Sequence, residues 1–338
     1  MNQENITELK IEEAETVIPV KRQSLLKQIM GANEFGVAIG LIFLIVFFSL
    51  TAKYFLSWSN MINVARQVSM IAIMAFGMTL VVVSGGIDLS VGSIMGFAGV
   101  VTAALMINFN LPIWVSVSGG ILSAGLMGLF NGAAITLFKI PSFIATLAML
   151  SIARGITYLY TDARPIYGLS ESFNFIGTGY LGPVPIPVIF MVVIFVMFSL
   201  LMRYTKIGRY AYSIGGNAEV ARLSGINIKK YMRIFYLISG LMAGIAGVLL
   251  TARMGSGEPN AGIGYELDVI AAVVLGGTSL SGGTGTMLGT FGGALVMGVL
   301  DNGLAMLNVP PFVQMICSGF VILIAVGVSM RKSTIIVK

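Results

Sequence analysis

Apolar positions dominate this chain in long stretches separated by short polar punctuation. The runs cover 35–51, 61–83, 88–108, 113–138, 141–160, 185–202, 233–252, 286–306 and 311–329. At about 20 residues per crossing most of these suit membrane-spanning helices. A further stretch, 265–281, is poorer, because Glu266 and Asp268 open it and Gly276 and Gly277 interrupt it. The first 34 residues are polar, with Glu4, Glu8, Glu12, Glu13 and Glu15 ahead of Lys21, Arg22 and Lys27. They hold no apolar core of signal-peptide type, so no cleavage is expected and 35–51 is the first anchor.

The charges decide how the runs are threaded. Lysine and arginine favour the cytoplasmic side of a membrane. Fifteen of the twenty lie in four clusters, at 10–27, Lys139, 203–233 and 331–338. One side can hold all four only if an even number of crossings separates each pair. The poor stretch 265–281 must therefore cross as well. The expected fold is an all-α membrane protein of about ten transmembrane helices, with both termini cytoplasmic. Its parts are a cytoplasmic segment 1–34, a membrane domain 35–330 containing a cytoplasmic loop 203–233, and a cytoplasmic tail 331–338. Segment 161–184, with Pro165 and Pro183, is expected as the longest external loop.

Composition excludes most other classes. Hydrophobic residues are 57% of 338 and charged residues 10%, against roughly 25% charged in a soluble domain; lipid must be the solvent. The formal charge of +6 sits between apolar runs rather than on a soluble patch, so no nucleic-acid partner is expected. Histidine is absent, which removes histidine-based triads and most zinc sites. Neither a metal nor a cofactor is expected. Cys317, the single cysteine, lies in an apolar run and reads as a packed small side chain.

Three stretches carry candidate chemistry. The first is Ser84-Gly85-Gly86-Ile87-Asp88-Leu89-Ser90-Val91-Gly92-Ser93, where paired glycines break an apolar region beside a carboxylate. Broken helices are tolerated at membrane depth where they line a cavity or are buried in protein, and an intramembrane aspartate usually faces a partner or a path. Two readings stand open: Asp88 on a translocation path, or Asp88 capping the next helix. The second stretch, Leu275-Gly276-Gly277-Thr278-Ser279-Leu280-Ser281-Gly282-Gly283-Thr284-Gly285-Thr286, echoes the first as Gly-Gly-x-x-Leu-Ser-x-Gly and suggests a weak internal two-fold repeat, parallel under this threading. Its Leu280-Ser281-Gly282-Gly283 imitates the signature loop of ATPases, but the chain has no phosphate-binding loop. In the third, within 203–233, Asn217 is a plausible helix N-cap, Ala218 to Ser224 would make two turns and Gly225 would stop them. So short a helix is marginal alone and makes sense docked on a partner through Val220 and Leu223; a basic loop lying on lipid headgroups is the alternative.

These residues resemble the membrane subunits of ribose-type ATP-binding-cassette (ABC) importers, nearest the ribose permeases, with galactose, xylose, arabinose and autoinducer-type permeases as near relatives. The likeness rests on the run 84–93, on Gly208-Arg209-Tyr210 with Gly215-Gly216-Asn217, and on Gly264-Tyr265-Glu266-Leu267-Asp268 leading to Gly276-Gly277. It covers about 55–330, and the first 34 residues share none of it. The resemblance implies a second permease chain, identical or not, a cytoplasmic ATPase subunit, an extracytoplasmic sugar-binding protein and an inner-membrane location. It also implies an ATPase-coupling role for the loop carrying Gly208, Arg209, Gly215, Gly216, Asn217, Glu219, Arg222 and Gly225. Which of Asp88, Glu266 or Asp268 touches substrate it does not say.

The mechanism expected is alternating access without covalent chemistry, so no residue is a catalytic candidate. A neutral sugar needs hydroxyl and amide partners, and Asp88, Ser90, Ser93, Asn131 and Thr136 are the candidates for the path. The rivals are an ion-coupled secondary transporter and an intramembrane aspartyl protease; both would use Asp88 with Asp301.

Overall fold

The computed structural model of the chain describes residues 33–336. The expected cytoplasmic segment 1–34, save its last two positions, lies outside the described residues, as does the end of the tail. The structure is mostly helical. Its long helices are α1 (Asn33–Thr51), α2 (Trp58–Val83), α3 (Val91–Ile107), α4 (Ile113–Phe138) and α5 (Ser142–Thr161). A short α6 (Glu171–Thr178) and a two-stranded hairpin, β1 (Tyr180–Leu181) with β2 (Val184–Pro185), precede α7 (Ile186–Tyr204). Then come α8 (Lys206–Gly216), α9 (Ala218–Leu223), α10 (Ile228–Met254), α11 (Tyr265–Leu275), α12 (Met287–Met306) and α13 (Pro311–Ile336). Six helices, α2, α4, α5, α7, α10 and α12, are long and apolar enough to cross a membrane; α3 and the apolar parts of α1 and α13 are shorter. Helix α13 runs on to Ile336, beyond the expected end of its span at 329.

α2 is the axis of the bundle. Every residue from 68 to 83 is buried, as befits a helix apolar on all sides. Around it pack α10, α12, α7 and α11, while α4 and α5 lie further out with about a third or less of their span buried. With lipid outside, close packing replaces the hydrophobic effect as the force between helices, and small residues permit it. The α4–α10 pair shows this: a Cβ added at Gly128 would lie 2.2 Å from the Tyr236 carbonyl, and one at Gly240 would lie 2.5 Å from that of Ala124. Polar pairs add direction to the α2–α12 contact. Thr79 and Thr290 share a hydrogen bond of 2.7 Å, and Asn60 and Asn302 exchange two amide bonds of 2.9 and 3.0 Å.

Two expected loops contain more structure than their sequences promise. Segment 161–184 holds α6, whose N-cap Ser170 accepts from the Phe173 amide, and the hairpin, whose turn uses Gly182 at φ 62°. Segment 203–233 holds α8 ahead of the expected short helix; Thr205 caps it, and Gly208, Ala211 and Ile214 are its buried face. Three glycines in eleven residues hide that helix from a propensity reading.

α11 has 11 residues and reaches about 16 Å, half the thickness of a bilayer core. It is preceded by non-helical chain at 256–264. That segment is partly covered: Gly262 lies against Gly92 of α3 and Gly257 pairs with Ile166, while Asn260 and Ile263 are exposed. The stretch 84–90 before α3 is the corresponding irregular backbone on the other side of the bundle.

Candidate functional site

Asp88 is fully buried in the irregular turn between α2 and α3. One carboxylate oxygen accepts from the Ser90 amide at 3.0 Å and from the Ser90 hydroxyl; the other accepts from the Ser239 hydroxyl of α10 at 2.8 Å. The Ser90 hydroxyl in turn accepts from the Asn131 amide of α4 at 2.8 Å. Beside them the Tyr236 hydroxyl donates to the Ile87 carbonyl at 3.2 Å. One carboxylate therefore ties the start of α3 to α4 and α10, with its oxygens satisfied by hydroxyl and amide donors.

Of the path candidates, Asp88, Ser90 and Asn131 come together. Ser93 is buried one turn into α3 and joins none of these bonds. Thr136 stands apart, near the end of α4, where its hydroxyl accepts from Arg233 Nε at 2.8 Å. Ser239 and Tyr236 were missed because they sit in an apolar run with no local motif; the turn at 84–90 gave no sign of which helix it would face. Asp301 keeps other company, on α12 with Asp268 of α11 as its charged neighbour. Among the described residues Asp88 and Asp301 have separate partners, so the pair that both rival readings would use is not brought together.

The two glycine stretches meet. α2 ends in a Schellman motif, with the Gly86 amide donating to the Val81 carbonyl and the Gly85 amide to Val82, and Gly85 at φ 84°. α11 ends the same way, with Thr278 donating to Val273, Gly277 to Val274, and Gly277 at φ 84°. These are the glycines that reversing a helix end requires. The Gly283 amide then donates to the Val83 carbonyl at 2.8 Å, joining the two breaks directly. The C-terminus of α8 is wedged against the same junction: a Cβ on Gly215 would lie 1.8 Å from the Val83 carbonyl and 2.6 Å from the Gly283 amide. The Tyr212 hydroxyl of α8 also donates to the Gly285 carbonyl at 2.7 Å.

From this junction α9 projects. Asn217 caps it, its side chain accepting from the Val220 amide at 3.0 Å. Gly225 at φ 82° closes it, with Ile226 donating to the Ala221 carbonyl. Val220 and Leu223 are 57% and 73% exposed, so the helix presents apolar side chains that its own loop does not cover. Glu219 and Arg222 pair with each other, Nε to Oε2 at 3.0 Å, and that bond holds the exposed Glu219 carboxyl below its ordinary value. Arg209 lies on α8 and donates to the Tyr204 carbonyl at 3.2 Å.

A third polar group sits where the irregular segment 256–264 meets α5. Arg154 Nη1 donates to the Pro259 carbonyl and, at 2.8 Å, to that of Ala261. Tyr158, one turn on, donates to Asn260 Oδ1 at 2.7 Å. Glu266 accepts from the Gly264 amide through Oε1, while its buried Oε2 has no hydrogen-bond partner among the described residues.

A helical bundle with six helices long and apolar enough to cross a membrane, two glycine breaks joined at one end and a capped helix hanging from that joint fits a transport permease. Comparison with known proteins agrees. Residues 60–326 match the family described as branched-chain amino acid transport system / permease component, and the chain belongs to that family. It is 44% identical over 292 residues to the ribose import permease protein of Haemophilus influenzae, covering 85% of this chain and 90% of the relative. To the ribose import permease protein of Bacillus subtilis it is 43% identical, covering 89% and 94%. To the D-allose transport system permease protein of Escherichia coli it is 38% identical, covering 83% and 86%. No solved structure matches significantly.

Proposed function

We propose that this chain is the membrane-spanning subunit of an ATP-driven importer of ribose or a similar monosaccharide. The observation that carries the reading is the junction of Val83, Gly215 and Gly283. It links an exposed, capped helix suited to docking on a partner with both helix breaks inside the bundle. A docked ATPase that pushes α9 would move α8, and α8 has no slack against either break. The sugar is inferred from the relatives, whose names specify ribose and allose.

In this reading the basic end, with Lys139 and 203–233, is cytoplasmic and the end carrying α6 and the hairpin is external. The membrane domain spans 35–330 in ten crossings, two of them interrupted, at 84–107 and 256–275. Matched helix ends at Gly85 and Gly277 support a distant two-fold relation between the halves, set one residue off the alignment of the paired glycines. The path is assigned to Asp88, Ser90, Ser93, Asn131 and Thr136; its support is the shared polar group around Asp88 for three of them and position for the other two. The coupling surface is assigned to Gly208, Arg209, Gly215, Gly216, Asn217, Glu219, Arg222 and Gly225. The partners are a second permease chain, an ATPase and an extracytoplasmic sugar-binding protein.

The test is to co-purify the complex, reconstitute it and follow sugar uptake with ATP inside or with an imposed ion gradient alone. ATP-dependent, ionophore-resistant uptake is expected. Uptake driven by the gradient without ATP would move the chain to the secondary transporters.

A further inference from the structure

Arg154 lies thirteen residues into the 20-residue apolar helix α5, a depth at which a charged side chain is retained only with partners. Its partners are unusual: two main-chain carbonyls, Pro259 and Ala261, in the irregular segment 256–264. Both bonds use one nitrogen of a group that carries five donors. Glu266, at the start of the helix that follows this segment, makes no ion pair with Arg154 within 4 Å, and its Oε2 is buried and bonded to nothing described. Both groups lie over one glycine face of α3. A Cβ on Gly96 would be 3.1 Å from Arg154 Nη1, and one on Gly92 would be 2.2 Å from Glu266 Oε2. Residues four apart on a helix are about 6 Å from each other at Cβ, and as both positions are glycine neither puts a side chain between the guanidinium and the carboxylate.

We infer that Arg154 is a positioning residue for transport, a latch with two alternative sets of acceptors. In the state seen here it binds the Pro259 and Ala261 carbonyls and, with Tyr158 on Asn260, pins segment 256–264 to α5. In the other state it turns to the vacant oxygen of Glu266, and the segment is released. The segment lies at the end assigned as external, so its release opens the path to that side. The arrangement is bistable because the charge of Arg154 needs a partner in each state and one is built for each. The inference rests on the proposed importer function.

Ser256, 5% exposed, reports on the segment without belonging to the latch. In a Cys317→Ser, Ser256→Cys chain within the reconstituted full complex, the rate of reaction with an impermeant maleimide added outside measures release. Trapping the ATPase with ATP and vanadate is expected to raise that rate about tenfold, the population change that one charge-assisted hydrogen bond sustains. Arg154→Gln is expected to give the fast rate without nucleotide, and Arg154→Lys the slow parental rate. Glu266→Gln is expected to stay slow even when trapped. Loss of mere packing would shift both neutral variants the same way, and that result overturns the latch. If Arg154→Gln does not assemble, Glu266→Gln against the parent decides: a normal response to nucleotide in that variant overturns it. A parent that takes up sugar with ATP while Ser256→Cys ignores nucleotide overturns the latch alone, and a parent that takes up none overturns the importer reading with it.

Discussion

At the residue scale the informative group is Asp88, a carboxylate with hydroxyl and amide partners and, among the described residues, no basic side chain bonded to it. Removing it leaves the Ser239 hydroxyl, the Ser90 amide and the Ser90 hydroxyl facing a void in a sealed site. Each stranded donor costs about 1–3 kcal/mol. Asp88→Ala is therefore expected to lower the melting temperature of the detergent-solubilised complex clearly, and Ser239→Ala less, since it strands one acceptor. Asp88→Asn keeps an acceptor toward Ser90, and Ser239 can turn to accept from the new amide. That variant should melt close to the parent and retain ATP-driven uptake of a neutral sugar within a few-fold. Loss of uptake in a well-folded Asp88→Asn would show that the charge itself is needed. Sequence alone could single out Asp88, because an aspartate beside paired glycines in an apolar run is conspicuous. It could not see Ser239, 151 residues away, since one serine in a membrane helix carries no local signal.

At the scale of elements, legibility followed length and capping chemistry. The nine strong apolar runs and the poorer stretch 265–281 each hold a helix, because an apolar run needs its backbone satisfied internally, but six of these helices are long and apolar enough to cross a membrane. The short helix α9 was legible from Asn217 and Gly225, the two residues that end a helix chemically. α8 was not, because three glycines, Gly208, Gly215 and Gly216, lower its helix propensity. Two of them separate contact from permissiveness. A Cβ at Gly215 collides with the Val83 carbonyl and the Gly283 amide, both main chain, whereas a Cβ at Gly216 meets nothing within 4 Å. Gly215→Ala is expected to force α8 away from the two breaks and abolish sugar-coupled transport, while Gly216→Ala should transport normally. ATPase co-purification and uptake, measured on both, check this; equal behaviour of the two would remove the junction from the coupling route. On α9 the Glu219→Lys change reverses a charge favoured near a helix start and breaks the pair with Arg222. Because Arg222 lowers the Glu219 pKa, the contribution of that pair is present at neutral pH and is lost only in acid, as pH falls through the lowered value. Uptake by Glu219→Lys should accordingly be impaired at neutral pH with the membrane domain still folded.

At the scale of the whole molecule the question is how the chain threads the membrane, and the basic residues supply the argument. The structure gathers Lys139, Arg203, Arg209 and Arg233 at the end where α8 meets the two glycine breaks, while Lys53 and Arg164 lie at the opposite end in the connections that follow α1 and α5. Charge bias of that kind sets orientation during insertion, so the α8 end is expected inside and the α6 end outside. Burial decides which positions can report it. Ser256, in the connection after α10, is nearly sealed in the state seen here, but Ser172 on α6, Ser213 on α8 and Ser281 beside the second break are all exposed. In a Cys317→Ser background, Ser172→Cys should react with an impermeant maleimide on intact cells. Ser213→Cys and Ser281→Cys should react only after the membrane is opened. The Ser281 position tests most, because it lies beyond α11, which is too short to cross by helix alone. Labelling of Ser281→Cys from outside, with Ser213→Cys protected, would mean that 256–275 dips into the bundle and returns to the side it came from. The crossings would then number nine, and the last two helices would run opposite to the direction argued here.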